Sequence, residues 1–344
     1  INQGHLGAAL VGMHPAFDGK PASRLEAACA SGGLAVLSGI DAIAAGADVV
    51  LVAGAEIQTT ASARTGGDYL ARAADYARQR GLDDFTFPAL FARRIKAYRE
   101  KHGLDDEVLG MLSKKAYDNA NLNPKAHMHA RKVTLEWAAS ASDRNPNFLG
   151  NEALNPYMRL SDCSQVSDGA SAMVLVSHAG LTRMGLTEAD AVEVVASGHA
   201  VASLYEDGDM TQLTTVGKAT GRAMEGAGIT ARDLDVAEVH DCFTIAELMT
   251  YEALGLAKPG EGSAVVRDGA TKLDGSLPVN TGGGLVGFGH PVGATGVKQP
   301  VEIFRQMKGK ADRYQVAGEL RWGLTSNMGG DDKTVVSLAL RNGS

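Results

Sequence analysis

The segments ACASGG at residues 28–33 and HPVGATG at residues 290–296 echo one another in the two halves of the chain. Each is a turn of small residues that opens a stretch with the apolar spacing of a helix, and each helix leads on to hydrophobic strands. Short apolar strands that alternate with helices are typical of layered α/β folds. We therefore predict a duplicated α/β fold in which Cys29 and His290 hold matching positions and converge on one central cleft.

The first half of the chain contains one predicted helix and two predicted strands. Apolar residues recur at helical spacing from Gly32 to Ala47, and DVVLVAGAE at residues 48–56 follows as a continuous hydrophobic strand. A strand without polar alternation belongs in a sheet that is covered on both faces. The second strand lies in RLSDCSQVSDGASAMVLVS and ends near Ser177.

Residues 57–159 differ in character, because they are charged, aromatic and helical and contain Pro88 and several glycine breaks. We interpret them as an inserted, mainly helical loop domain. The segment carries much of the basic charge, including Arg93, Arg94, Lys96, Lys114, Lys115 and Lys125. Two interpretations remain open for these residues: solvated helix faces, or an anchor for the phosphate groups of a ligand.

The second half begins with a strand, AVEVVASGHAV, and continues with an amphipathic helix in TVGKATGRAMEGAGI. LDVAEVHDCF is a strand that runs out into a loop, and RWGLTSNMGGDDKTVVSLAL predicts two antiparallel strands joined by a turn. The predicted halves are residues 1–56 with 160–189, and residues 190–344. The chain starts at Ile1 in what reads as the middle of a fold, so we expect an N-terminal piece with the first strands to be missing.

Composition limits the class of function. The 344 residues carry a formal net charge of −7, which provides no basic field for nucleic acid. A membrane-spanning helix needs roughly 18 or more apolar residues, and no such uncharged run occurs. Three cysteines cannot all pair within one chain and are too few for a stabilising scaffold. We therefore expect a reducing, cytoplasmic setting without a membrane span.

Cys29 is the first candidate catalytic residue. A thiol at a helix start meets the positive end of the helix dipole and free backbone N–H groups, which favour a lowered pKa and a partly ionised thiolate. The alternative is a small buried hydrophobe, which is the usual role of a free cysteine. The Ser-Gly-Gly context favours the nucleophile for Cys29, whereas Cys163 lacks such a context and is interpreted as structural.

Two further segments supply partners for such a thiol. His290 stands between a glycine and a proline at a helix entrance, where its imidazole is held rigidly and can act as a base. At the end of the strand in HDCF, His240 and Cys242 alternate with Asp241, so they share one side while Asp241 points away. No CxxC or HExxH motif occurs, and we expect no bound metal.

The glycine-rich run GLVGFG resembles half of a dinucleotide-binding fingerprint. That fingerprint should follow a strand in an N-terminal βα unit and be trailed by an acidic residue. Here the run leads into His290 and Pro291, and no Walker A lysine motif is present. We therefore exclude a nucleotide-binding loop at this position.

Four motifs, CASGG, HDCF, NTGGG and GHPVGATG, together resemble the thiolase superfamily over essentially the whole chain. Most thiolases carry Asn-Glu-Ala-Phe in place of HDCF and a second cysteine in a C-terminal Cys-x-Gly. Here Asn327 stands where that cysteine would be. The sequence is therefore similar to the sterol carrier protein thiolase and acetyl-CoA acetyltransferase-like branch. The resemblance implies a five-layered αβαβα fold of two duplicated βαβαβαββ halves plus the inserted loop domain.

The resemblance also implies a reaction, that of a thiolase or acetyl-CoA C-acyltransferase. Cys29, activated by His290, would form an acyl-enzyme from a coenzyme A thioester. Cys242 would move the proton at the α-carbon of the second thioester. His240 and His290 would stabilise the enolate, and the backbone N–H groups of Cys29 and Gly329 the tetrahedral intermediate. No cofactor is expected besides coenzyme A thioesters, which are substrates.

The same resemblance leads us to expect a homodimer or homotetramer, and a complex with an OB-fold partner protein and a condensing synthase. Two alternatives remain open for function. One is a CoA-dependent retro-aldolase of sterol side-chain breakdown, although such relatives tend to lack the cysteine and histidine set. The other is an inactive thiolase-like scaffold.

Overall fold

The structure is a computed structural model that describes residues 4–343. Its first part contains a short helix, a long central helix and two strands. These elements are α1 (Leu6–Val11), α2 (Ser31–Ala44), β1 (Val49–Glu56) and β2 (Gly169–Val176). β1 and β2 pair antiparallel, with Val49 opposite Val176 and Glu56 opposite Gly169. The predicted helix and both predicted strands of this half are therefore confirmed to within a few residues.

Five α-helices separate β1 from β2, and a sixth short helix follows β2. They are α3 (Ala63–Ala71), α4 (Tyr76–Gln79), α5 (Thr86–His102), α6 (Asp106–Leu122) and α7 (Leu135–Ala139), and then α8 (His178–Arg183). The helical character predicted for residues 57–159 agrees with the first five, while the division of the chain into domains stays a prediction.

Four of the six basic residues named for this segment form ion pairs, of two kinds. Arg94 and Lys115 are buried and form ion pairs with Asp331 and Glu247. Two others, Arg93 and Lys114, form partly exposed pairs with Asp207 and Asp118. Arg94 and Lys115 therefore fit neither interpretation made from the sequence, because burial with a carboxylate removes them from solvent and from a phosphate ligand alike.

Among the described residues, the second half contains four strands and four α-helices. They are β3 (Val192–Val201), α9 (Thr214–Ala227), β4 (Val236–Glu238), α10 (Thr244–Ala253), α11 (Gly262–Arg267), α12 (Thr295–Met307), β5 (Trp322–Gly329) and β6 (Thr334–Asn342). The strand order is β3-β6-β5-β4, in which β4 and β5 are parallel and the other neighbours are antiparallel. Val279 adds a single parallel bridge beside Ala237. With that bridge as a strand, and with α10 and α11 as one helical connection, this half follows the predicted order βαβαβαββ.

The helices α2 and α12 lie side by side between the two sheets, since each contacts strands of both. Helix α9 covers the other face of the four-stranded sheet at β3 and β6. On the two-stranded sheet, by contrast, Val49, Leu51 and Val174 are exposed. The prediction that β1 is covered on both faces is wrong for the described residues, in which only the face toward α2 and α12 is packed.

No helix among residues 4–343 is long and apolar enough to cross a membrane. Cys29, Cys163 and Cys242 all carry free thiols.

Candidate active site

A strained turn presents Cys29 directly before α2. Ala28 has φ of 52°, a left-handed conformation that costs a residue with a Cβ about 1–2 kcal/mol. Local hydrogen bonds hold the turn: the Ser31 hydroxyl donates to the Ala28 carbonyl at 2.6 Å, and the Ala27 N–H donates to the Ser31 hydroxyl at 2.8 Å. The serine of the Ser-Gly-Gly sequence, which follows the cysteine, is therefore bonded to the two residues that precede it.

Cys29 is partly accessible as a residue, but its thiol is packed by protein and is not a resting thiolate. Burial raises its pKa to about 12, although hydrogen bonds from the backbone N–H groups of Gly330 and of Cys29 itself act in the opposite direction. The lowered pKa expected from the helix dipole is therefore wrong, because loss of water around the sulfur outweighs the backbone donors. Ionisation of this thiol needs a base beside it.

His290 lies in the turn that precedes α12 and is buried and neutral. Burial lowers its pKa to about 4. Its Nδ1 atom is 2.7 Å from the Thr295 hydroxyl, which donates to the Pro291 carbonyl at 3.2 Å. The imidazole is thus held through Thr295, the first residue of α12. Nε2 is the ring nitrogen that faces away from this turn.

His240 follows β4 and lies edge-on to His290, with 5.0 Å between the ring centroids. It is buried, and burial followed by the neighbouring His290 lowers its pKa. Its Nδ1 atom is 3.2 Å from Nδ2 of Asn327 on β5. Asn327 also bonds the segment of the nucleophile, since its Nδ2 donates to the Cys29 carbonyl at 3.0 Å and its Oδ1 accepts from the Gly33 N–H at 3.0 Å.

Asp241 and Cys242 lie in the loop after β4, so the strand alternation predicted for HDCF does not extend to them, but their side chains have different surroundings. The Asp241 carboxylate accepts from the Leu285 N–H at 2.6 Å and the Val286 N–H at 3.3 Å, and so anchors the glycine-rich loop. Cys242 is buried, and burial followed by the proximity of Cys29 raises its pKa. The two thiols are thus close enough to influence one another.

Gly329 allows the end of β5 to lie close against the backbone around Cys29. A Cβ at this position would collide with the Ala27 carbonyl and lie 2.9 Å from the Ala30 nitrogen. The next residue, Gly330, provides the N–H group that bonds the Cys29 sulfur. The sequence analysis did not identify Gly330. Its only signal in the sequence is that it is the second glycine of SNMGG, and the course of the chain after β5 is needed to show that it reaches Cys29.

One sulfur and two ring nitrogens gather at the centre of the site. The Sγ of Cys29 and one nitrogen each of His240 and His290 all lie within 4.8 Å of one another. Thiolate and imidazole are ligands that Zn²⁺ prefers. No zinc spacing in the sequence predicts this trio, because its members come from three distant segments. Metal binding would require each imidazole to offer an unprotonated nitrogen. The proton positions on the two rings therefore determine whether the trio can bind a metal ion.

Known proteins are similar to this chain in sequence and in fold. A family model described as "Thiolase C-terminal domain-like" matches residues 196–342. Acetyl-CoA acetyltransferase of Methanothermobacter thermautotrophicus is 36% identical over 335 residues, which cover 97% of this chain and 83% of that protein. Sterol carrier protein 2 of Gallus gallus is 31% identical over 73% of this chain and 44% of its own. The solved structure "Ltp2-ChsH2(DUF35) aldolase" has a TM-score of 0.72 at 24% identity, covering 92% of this chain and 77% of that one.

These similarities define the protein as an acyltransferase enzyme on a layered α/β fold. The chain belongs to the thiolase superfamily, in the branch that contains sterol carrier protein 2 and these acetyl-CoA acetyltransferases.

Proposed function

We propose that the protein is an acetyl-CoA C-acetyltransferase that works through an acyl-enzyme on Cys29. The observation that carries the proposal is the convergence of the Cys29 sulfur with His240 and His290 within 4.8 Å, beside the backbone N–H of Gly330. Acetyl-CoA as the substrate rests on the names of the relatives at 36% identity. Coenzyme A and its thioesters are then the only small molecules required.

In the first half-reaction, His290 accepts the thiol proton as the Cys29 sulfur attacks the thioester carbonyl. A thiol with a pKa of about 12 beside an imidazole with a pKa of about 4 stays protonated at rest. The proton therefore moves only as the carbon–sulfur bond forms. Collapse of the tetrahedral intermediate expels the coenzyme A thiolate, which takes the proton from His290. Backbone N–H groups of Cys29 and Gly329 are the proposed donors to the intermediate's oxygen.

In the second half-reaction, Cys242 moves a proton at the α-carbon while a ring N–H of His240 donates to the enolate oxygen. In the thiolytic direction, Cys29 attacks the 3-keto carbon, the bond between C2 and C3 breaks, and Cys242 protonates the departing enolate. Burial raises the pKa of the Cys242 thiol, and a protonated thiol is the state that this step requires. The same groups run the condensation in reverse.

Trapping of the acyl-enzyme tests this function. Enzyme incubated with acetyl-CoA labelled in the acetyl group should carry label as a thioester, and Cys29→Ala should carry none. Cys242→Ala should still acquire label but form no acetoacetyl-CoA. Cys163→Ala is the matched control, because its sulfur contacts Met158 and the Arg159 carbonyl instead of the cluster. Label retained by Cys29→Ala would overturn the assignment, and cleavage of a β-hydroxy side-chain thioester without acylation would favour the retro-aldolase.

We further propose that the enzyme assembles with partners. The solved structure of similar fold is named as an aldolase of Ltp2 with ChsH2(DUF35), which supports a search for a DUF35-type or OB-fold partner of this chain. A homodimer or homotetramer and a complex with a condensing synthase are proposed on the family resemblance. Size-exclusion chromatography with light scattering, on the protein alone and with candidate partners, tests both.

A further inference from the structure

Asn327 has an orientation that its neighbours determine. Its Oδ1 accepts from the Gly33 N–H, and its Nδ2 donates to the Cys29 carbonyl, both at 3.0 Å. A backbone N–H can only donate and a carbonyl can only accept, so exchange of the amide oxygen and nitrogen would break both bonds. The side chain is buried, with 1% of its surface exposed, and water cannot substitute for either partner.

This orientation determines the proton position on His240. The atom of Asn327 that lies 3.2 Å from His240 Nδ1 is Nδ2, an amide nitrogen that donates and never accepts. Nδ1 must therefore offer its lone pair, and the proton of the neutral ring lies on Nε2. Burial of the ring also disfavours the charged form with a second proton, as the lowered pKa of His240 indicates.

His290 has no such fixed partner. Its Nδ1 lies 2.7 Å from the Thr295 hydroxyl, a group that can both donate and accept, so that contact is compatible with either tautomer. Asn327 therefore determines the proton position on His240 alone, whose ring centroid is 5.0 Å from that of His290.

We propose that Asn327 is a positioning residue that holds His240 as the Nε2–H tautomer, so that His240 serves as a hydrogen-bond donor to the enolate oxygen and not as a base. The donor role of His240 then rests on Asn327. The enolate role rests on the proposed function, whereas the tautomer does not. The same proton prevents Nε2 of His240 from completing a metal site with Cys29 and His290.

Nitrogen NMR of the resting enzyme tests the tautomer without any substrate. In protein labelled with ¹⁵N-histidine, His240 should show an unprotonated Nδ1 and a protonated Nε2, with its signals assigned by their loss in His240→Gln. A protonated Nδ1 in the wild-type enzyme would overturn the proposal, whatever the activity. This measurement needs no variant of Asn327 to fold.

Asn327→Asp tests the role of the amide directly. A carboxylate can only accept, so the proton should move to Nδ1 of His240, a change that a merely structural asparagine would not produce. We expect the condensation rate to fall about 100-fold, as for loss of one oxyanion donor. Label should still be transferred to Cys29, which separates loss of the enolate donor from failure of the acyl-enzyme.

Asn123→Asp is the matched control. Asn123 is fully buried, its Oδ1 accepts from the Lys125 N–H at 3.0 Å, and its Nδ2 donates to the Gly282 carbonyl at 3.1 Å. It therefore reproduces the two backbone bonds of Asn327 without the histidine. The His240 signals should be unchanged in this variant. Unchanged His240 signals in Asn327→Asp as well would overturn the proposal.

Discussion

Gly32 of α2 and Gly296 of α12 lie in backbone contact. A Cβ at Gly32 would be 2.8 Å from the backbone nitrogen of Gly296, closer than real side chains approach. The two helices therefore meet at their N-terminal ends, and the turns that precede them deliver Cys29 and His290 to the same place. The small residues of the two echoing turns are required for this approach.

Gly296→Ala should destabilise the protein. A methyl group there would collide with the Gly33 nitrogen and with Oδ1 of Asn327, the two atoms of one buried hydrogen bond. Overpacking of this kind costs about 1–3 kcal/mol, and we expect the upper end because a hydrogen bond is also displaced. Urea denaturation followed by circular dichroism measures the change in the free energy of unfolding.

Gly221→Ala is the control for that substitution. Gly221 lies inside α9, and a methyl group added there would have no atom within 4 Å, so alanine should stabilise the helix by roughly 0.5–1 kcal/mol. Equal destabilisation by the two variants would show that contact between α2 and α12 is not the cause.

The pH dependence of acyl transfer should lack the limb near pH 6.5 that an exposed histidine base would give. Burial lowers the pKa of His290 to about 4, so the imidazole remains neutral, and able to accept the Cys29 proton, down to about that pH. We expect kcat/KM to fall only as pH approaches 4. Initial rates in constant-ionic-strength buffers check this, and a limb above pH 6 would contradict it.

Stability should respond to pH through the same group. The pKa of His290 is about 4 in the folded protein, against an ordinary histidine value of 6.5, so the unfolded chain binds a proton first as pH falls. Its contribution is complete above pH 6.5 and is lost as pH falls toward 4. The difference in unfolding free energy between wild type and His290→Gln should shift by about 3 kcal/mol over that window. A difference independent of pH would show that His290 titrates normally.

Arg94→Met should destabilise the turn after β5. Arg94 is buried, forms an ion pair with Asp331, and its Nη1 donates to the Gln212 carbonyl at 3.1 Å. Removal leaves a buried carboxylate without a partner one residue from Gly330, which costs about 3–5 kcal/mol. We also expect slower acylation of Cys29, because the Gly330 N–H bonds its sulfur. Thermal denaturation and single-turnover labelling measure the two effects.

Arg93→Met provides the comparison from the adjacent residue. Its ion pair with Asp207 is partly exposed, and such pairs contribute about 0–1 kcal/mol. Acylation should be unaffected. Similar losses in both variants would point to the helix α5 as a whole and not to the contact with Asp331.

The elements themselves were predictable where local pattern and local contacts agree. The strand at residues 48–56, the helix after Ser31 and the hairpin after Arg321 all follow the apolar spacing that the structure shows. The exposed outer face of β1 was not predictable, because periodicity indicates which residues are apolar but not what packs against them. The lowered pKa of Cys29 failed for a related reason: the helix start is visible in the sequence, and the burial of the sulfur is not.

The sequence by itself determined the two glycine turns, the residue types of the site and the family, since each is visible in short motifs along the chain. Only the tertiary structure decided what those residues can do. In the sequence, nothing in SNMGG indicates the contacts of Asn327. In the structure, β5 places Asn327 beside Cys29 and His240, which are more than eighty residues distant at the nearest. Proton positions and pKa values depend on contacts and on exclusion of water, and both arise only when distant segments pack together.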